Sequence, residues 1–269
     1  MVQRTVLEHF LRETFQYDTF EDYCQNGLQV EGKAEIQKLV VGVSFNLPFL
    51  ERAIQQQADA ILVHHGFFGK DFFRLTGVMK QKVKLLLQHD ISLFGIHLPL
   101  DAHPQYGNNA QLLDYLGAEI LDPYESGFLG KNAQGYSLTQ ILDIFHQKLH
   151  PAGYQSPSSV EQATSVLMPK QRHGFLYFGN GPETPETLAI ISGGSSRHYR
   201  SAEFFEKGVD TYICGDVDEP VPAISYETRT NFVNIGHYWS EKAGPLALQA
   251  EIDRHFDVET IFLELENLI

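Results

Sequence analysis

An α/β fold is predicted for this chain from three features of its sequence. Apolar runs suited to buried strands recur at Lys38–Val43, Ala60–Val63, Ile91–Ile96, Val209–Cys214 and Asn231–Ile235. The segments between them have helical spacing, so the pattern is that of parallel β-α-β units. The run Ala60-Ile-Leu-Val-His64-His65-Gly66 carries two imidazoles out of a strand end, where open α/β sheets place their chemistry. Finally, the order strand, serine-containing turn, helix, strand over Val40 to Gly66 recurs over Ala189 to Asp216. The expectation is two related, pseudo-duplicated α/β halves, 1–121 and 188–269, with a smaller lobe inserted at 122–187.

In chain order, residues 1–16 have Val2, Val6, Leu7, Phe10 and Leu11 on one helical face. The following Tyr23 to Gly32 carries Asn-Gly and Glu-Gly turn signals. Helices are expected at Leu47 to Gln57 and about Lys80 to His89. Pro99 and Pro104 argue against a regular helix after His97, and Asn108 is expected to cap a helix over Asn109 to Leu116. Within the Gly-, Ser- and Pro-rich segment 122–187, one amphipathic helix, Leu138 to Leu149, is clear. A strand at Leu188 and a helix near Ser201 follow, then a helix through Phe256 capped by Ser240, and a last strand at Glu259 to Leu263.

Composition narrows the function. Twenty Lys and Arg against 34 Asp and Glu give a net charge of −14, which disfavours nucleic acid as a partner. Two cysteines, Cys24 and Cys214, are too few for a disulfide framework, and neither a secretory leader nor a membrane-length apolar run is evident, so a cytoplasmic protein is expected.

The chemistry is carried by histidines and acids. Successive side chains on an extended strand point to opposite faces, so His64 and His65 suit two ions, or one ion and a supporting role. The second half repeats a feature of the first: Phe94-Gly-Ile-His97 with Asp101 parallels Asn234-Ile-Gly-His237 with Glu241, a His-x-x-x-acid in each. Imidazole with carboxylate suits zinc, manganese, iron or cobalt. Asp101 and Glu241, having two oxygens each, are the candidates to bridge a pair of ions roughly 3.5–4 Å apart. His9, His89, His146, His150, His173, His198 and His255 lack partner spacing and are assigned to structure or surface; His103 is left out of the site. Gly193-Gly194 lacks a nucleotide-binding pattern. Trp239, between two ligand candidates, is a candidate to stack on a substrate ring.

His64-His65-Gly66, His97-Leu-Pro-Leu-Asp101 with Asn108-Asn109, and Gly236-His237-Tyr-Trp-Ser-Glu241 resemble the motifs of the Nif-three-like family, bacterial YbgI type, often labelled GTP cyclohydrolase I type 2 homologue. The stretch Tyr23 to Gly32 is similar to its N-terminal signature. The resemblance implies a protomer of a toroidal homohexamer with a dinuclear metal centre facing the ring interior. Its metal ligands fall on His64, His65, Asp101, His237 and Glu241, and His97 is similar to a family histidine near that site. Two functions follow as expectations. One is a metal-dependent hydrolase acting on a small molecule. The other is a ring-shaped scaffold or binding protein with a structural metal centre, acting on a partner protein or a nucleic-acid strand threaded through the hole, for which a basic hole lining drawn from Lys70, Arg74, Lys80, Lys82 and Lys84 would speak. Two departures stand out. Asp216 replaces a longer Glu of some relatives, and Pro245 kinks the last helix unless it falls in the first turn.

Overall fold

Successive apolar runs and their punctuation produce the elements in the order the chain dictates. The computed structural model describes residues 1–69, 74–155, 165, 167–265 and 267. Strand β1 (Val2–Gln3) leads into α1 (Arg4–Phe15), then β2 (Gly27–Val30), β3 (Glu35–Ile36), β4 (Lys38–Ser44), α2 (Leu47–Gln55), β5 (Ala60–His65), α3 (Gly77–Gln88) and β6 (Ser92–Gly95). After the site loop come α4 (Leu98–Ala102), α5 (Asn108–Tyr115), β7 (Glu119–Tyr124), β8 (Gly127–Lys131), α6 (Leu138–Leu149), β9 (Lys170–Arg172) and β10 (Phe175–Gly179). The chain closes with β11 (Thr187–Ile190), α7 (Ala202–Glu206), β12 (Thr211–Cys214), α8 (Val221–Thr228), β13 (Asn231–Asn234), α9 (His237–Ser240), α10 (Ala243–His255) and β14 (Glu259–Phe262).

Contacts divide the chain into two units, one of Met1–Tyr106 with Gly244–Glu266, the other built on Gly107–Ala243. The first holds a five-stranded sheet in the order β14-β4-β5-β6-β2, parallel except for β2. Alternation along its strands sends Leu39, Val41, Ala60, Leu62, Phe94 and Ile96 to a core shared with α1 and α10. Val40, Ile61, Val63 and Leu93 face α2 and α3 instead, so both faces are covered and the strands read as unbroken apolar runs. At roughly 1.5–3 kcal/mol for each large apolar side chain removed from water, these two layers hold the strand ends in place.

The second unit holds a seven-stranded mixed sheet in the order β7-β8-β11-β12-β13-β10-β9, with β11, β12 and β13 parallel. Its strands pack Ala189, Ile191, Tyr212, Cys214 and Phe232 against Tyr199, Phe204 and Val221. The segment expected as a separate lobe, 122–187, supplies β8, β9 and β10 to this sheet, and β14, expected with the second half, pairs with β4 in the first. Boundaries at 121/122 and 187/188 thus do not coincide with the sheets, because ladder hydrogen bonds join strands far apart in sequence.

Three local expectations change. Pro99 sits in the first turn of α4, where its missing N–H would be unpaired anyway, so a short helix does follow His97. Gly107, not Asn108, is the N-cap of α5, leaving Asn108 buried inside its first turn. The last helix breaks at Glu241 into α9 and α10, and Ser240 lies within α9 rather than capping the longer helix. Pro245 falls in the first turn of α10, where it is tolerated. No helix among the described residues is long and apolar enough to cross a membrane.

Candidate metal centre

In the first unit, β5 delivers His64 and His65 and the loop after β6 delivers His97. Successive strand residues should diverge, yet the two adjacent rings lie with centroids 4.5 Å apart, and His97 stands 5.1 and 5.6 Å from them. One nitrogen from each of the three lies within 4.8 Å of the others. Every Nδ1 of the trio is engaged: His64 with Ile96 O at 3.0 Å, His65 with Ser44 Oγ at 3.1 Å, His97 with Asp22 Oδ1 at 3.0 Å. Holding one ring nitrogen on a protein partner fixes ring orientation and tautomer, so the nitrogen each can offer a metal is Nε2. Asp101, from α4, places Oδ2 3.6 Å from His64 Nε2 and is buried.

Two residues outside the expected set hold this trio. Asp22 also accepts from Cys24 N, Asn26 Nδ2 and Leu98 N. Burial pushes its carboxyl up, but the bonds from His97, Asn26 and Cys24 outweigh that and leave its pKa lowered. Gln29 grips the loop after His65, its Oε1 accepting from Phe67 N at 2.7 Å and its Nε2 donating to Phe67 O at 2.9 Å. A Cβ on Gly66 would stand 2.3 Å from Gln29 Oε1, so only glycine admits this clamp. His103 belongs elsewhere, its Nδ1 accepting from Tyr106 N at 3.0 Å.

In the second unit, β13 is followed by Gly236, whose φ of +87° turns the chain into α9 and presents His237. His237 Nε2 lies 3.2 Å from Glu241 Oε1, one helical turn on, and Glu241 is buried. The loop after β11 closes over them: Gly193 N donates to Ser240 Oγ at 2.9 Å, and Ser240 Oγ donates to His237 O at 2.9 Å. A Cβ on Gly193 would meet Glu241 Oε1 at 2.2 Å, and one on Gly215 would meet His237 Cα at 2.7 Å. These glycines serve close approach to an acid and a histidine rather than to phosphate. Trp239 is only 3% exposed, so it forms a wall here rather than an open stacking face.

Comparison with known proteins places the chain in a family. The sequence profile of Duf34/NIF3 (NGG1p interacting factor 3) matches residues 2–268. The chain belongs to the Duf34/NIF3 family. Among its relatives, the GTP cyclohydrolase 1 type 2 homolog of Pasteurella multocida is 35% identical over 97% of both chains. A solved family structure described as protein ybgI, of unknown function, superposes with a TM-score of 0.84 at 32% identity over 100% of both chains. A Thermus thermophilus protein does so at 0.80 and 27% over 99% of both. For a Duf34/NIF3 protein the donor set fits a divalent ion on chemical grounds. Within the first unit, three imidazoles with their Nδ1 atoms committed, together with the buried Asp101 carboxylate, form a nitrogen and oxygen set without thiolate.

Proposed function

We propose that this chain binds two divalent ions, zinc, iron, manganese or cobalt, through His64, His65, Asp101, His237 and Glu241, and uses them for metal-dependent hydrolysis of a small molecule. The observation that carries the reading is the engagement of Nδ1 in His64 and His65, which turns the Nε2 of each towards an ion, with His97 held beside them by Asp22. Five side chains leave two ions, each wanting four to six ligands, with positions for water or substrate. A divalent pair of this kind supplies an acidified water at neutral pH. Within the chain, Asp22 orients His97, Gln29 fixes the loop after His65, and Gly193 admits the Glu241 carboxylate.

The relatives' name, GTP cyclohydrolase 1 type 2 homolog, carries over only as a suggestion of hydrolysis. The homohexameric ring, the cytoplasmic setting and the duplication of halves belong to the same proposal. Support for duplication comes from matched aspartates: Asp59 Oδ2 accepts from Gln37 N and Lys38 N, and Asp210 Oδ2 from Glu186 N and Thr187 N. A basic lining for a threaded strand finds less support. Lys82 donates to Phe45 O and lies over the Phe45 and Phe67 rings, while Lys70 is outside the described residues.

Metal analysis of protein purified without a metal-affinity tag tests the reading. Two ions per chain are expected, with Glu241→Ala retaining fewer than His97→Ala. Two tightly held ions in the Glu241 variant would overturn the assignment of that carboxylate.

A further inference from the structure

Beside His237, and built wholly from the second unit, lies a cleft of about 370 Å³. That is within the range of roughly 300–1,000 Å³ typical of small-molecule sites. Its walls are aromatic. The rings of Tyr154 and Phe175 are tilted by 31° and 32° to that of His150, at 4.0 and 4.9 Å between centroids. Trp239 stands edge-on, at 79° to His150 and 72° to Tyr154. A flat ring entering such a corner can lie face-on against one wall and meet the indole as an edge-to-face pair, both favourable geometries.

The histidine wall is braced. His146 and His150 share a hydrogen bond between their Nδ1 atoms at 2.7 Å, and His146 stacks on His173 at 4.1 Å and 5°. His173 Nε2 meets Asp143 Oδ1 at 2.6 Å, and that carboxylate also takes a two-pronged grip from Arg172 at 2.7 and 2.8 Å. Burial first, then the neighbouring His146 and Lys242, push His150 down to about 4, so its ring is neutral at physiological pH. These three histidines, read from sequence as unrelated, form one support.

The polar end of the cleft is Asp216. Its carboxylate is aimed by Ser196, whose N–H donates to Oδ1 at 2.8 Å and whose hydroxyl donates to Oδ2 at 2.9 Å, and each oxygen keeps acceptor capacity for a ligand N–H. Among the described residues, no lysine or arginine lines the cleft. Lys242 sits against the indole at 5.3 Å with its ammonium donating to Leu149 O at 2.8 Å.

We propose that this cleft binds a planar, amino-substituted aromatic heterocycle without a phosphate, its ring lying against the wall of Tyr154 and Phe175 with Trp239 closing one side, and its amino group donating to Asp216. Among the described residues the lining offers an acceptor for ring N–H groups and no lysine or arginine for phosphate, so the side chains themselves favour a free heterocycle over a nucleotide. The inference rests on the metal-centre reading only for its purpose, since His237 is both wall and candidate ligand; binding of the ring needs no ion.

Trp239 is the chain's single tryptophan, so its emission reports on the cleft directly. The full chain, both chelator-treated and zinc-loaded, is titrated with 2-aminobenzimidazole, with benzimidazole and GTP as comparisons, and binding is confirmed by calorimetry. Saturable binding of 2-aminobenzimidazole is expected in both forms, undisturbed by GTP in the chelator-treated one. Asp216→Asn should weaken it about tenfold, the loss of one hydrogen bond to a charged acceptor, while leaving benzimidazole nearly unaffected. Tyr154→Ala should weaken both ring probes. No saturable binding to the folded chain, equal affinity in the Asp216 variant, or competition by GTP for the chelator-treated chain would each overturn the proposal. Ring binding by a chain that takes up no zinc on loading would sink the metal centre and leave the cleft standing; zinc uptake without ring binding would do the reverse.

Discussion

A methyl group added at Gly193 would stand 2.2 Å from Glu241 Oε1 and 3.3 Å from His237 Nε2, on a backbone whose φ is +66°. Gly208 has nearly the same φ, +65°, with nothing within 4 Å of the added atom. Alanine at Gly208 therefore incurs only the left-handed backbone cost, about 1–2 kcal/mol. Alanine at Gly193 should cost more in thermal denaturation and also lower metal content, and equal losses from both would show that the close approach does not matter. Asp22→Ala should weaken metal affinity about tenfold, the low end of the usual effect of losing an orienting partner, because Asp22 holds His97 beside the centre; competition against a chromophoric chelator would reveal it, and an unchanged affinity would separate His97 from the centre. Neither residue was legible in the sequence. The histidines were, because a strand end and a His-x-x-x-acid spacing are local patterns, whereas Asp22 meets His97 across 75 positions and Gly193 meets Glu241 only through the fold.

Two elements begin in the same way and differ in charge balance. Asp59 accepts from Gln37 N and Lys38 N at the start of β4, and Asp210 from Glu186 N and Thr187 N at the start of β11. Burial raises Asp59, but the bonds from Lys33 and from the two amides prevail and its pKa is lowered. At Asp210 burial prevails over its two amide donors and the pKa is raised. A lowered acid stabilises the fold above its unfolded value of about 4, and that contribution is lost as pH falls through the folded value. A raised acid behaves oppositely, its contribution being full below the unfolded value and lost as pH rises through the folded one. Asp59→Asn should therefore cost about 1–3 kcal/mol at neutral pH, with the gap to the parent closing below about pH 4, while Asp210→Asn costs less at neutral pH. Urea denaturation across pH measures both, and a larger neutral-pH loss at Asp210 would refute the contrast. Each aspartate sits just before an apolar run, a local pattern of the kind a sequence shows. The strands from 119 to 179 were not legible in this way, since β7 contains Pro123 and β9 is Lys-Gln-Arg, which carry little strand signal and are held by antiparallel pairing. Nor could sequence place β14 beside β4, a pairing of residues more than two hundred positions apart.

For the molecule as a whole, the net charge of −14 sets a condition on the homohexamer we propose: six like-charged chains repel unless salt screens them or buried apolar surface outweighs the repulsion. Light scattering at micromolar concentration should give six times the mass of one chain, and raising the salt should strengthen rather than dissociate the assembly. Ions bound only by the folded chain add stability by mass action, roughly 2.7 kcal/mol when the free ion is at 100 times its dissociation constant. For a unit of 150–250 residues each kcal/mol moves the thermal midpoint by about 2–4 °C. Chelation should then lower the midpoint by roughly 5–11 °C, and returning the metal should restore it. Measured together, mass and midpoint separate the two claims. If the mass holds while the midpoint falls, assembly does not depend on the ions; a single-chain mass removes the ring and any partner threaded through it, and a midpoint indifferent to chelation removes the coupling of metal to fold on which the dinuclear reading depends.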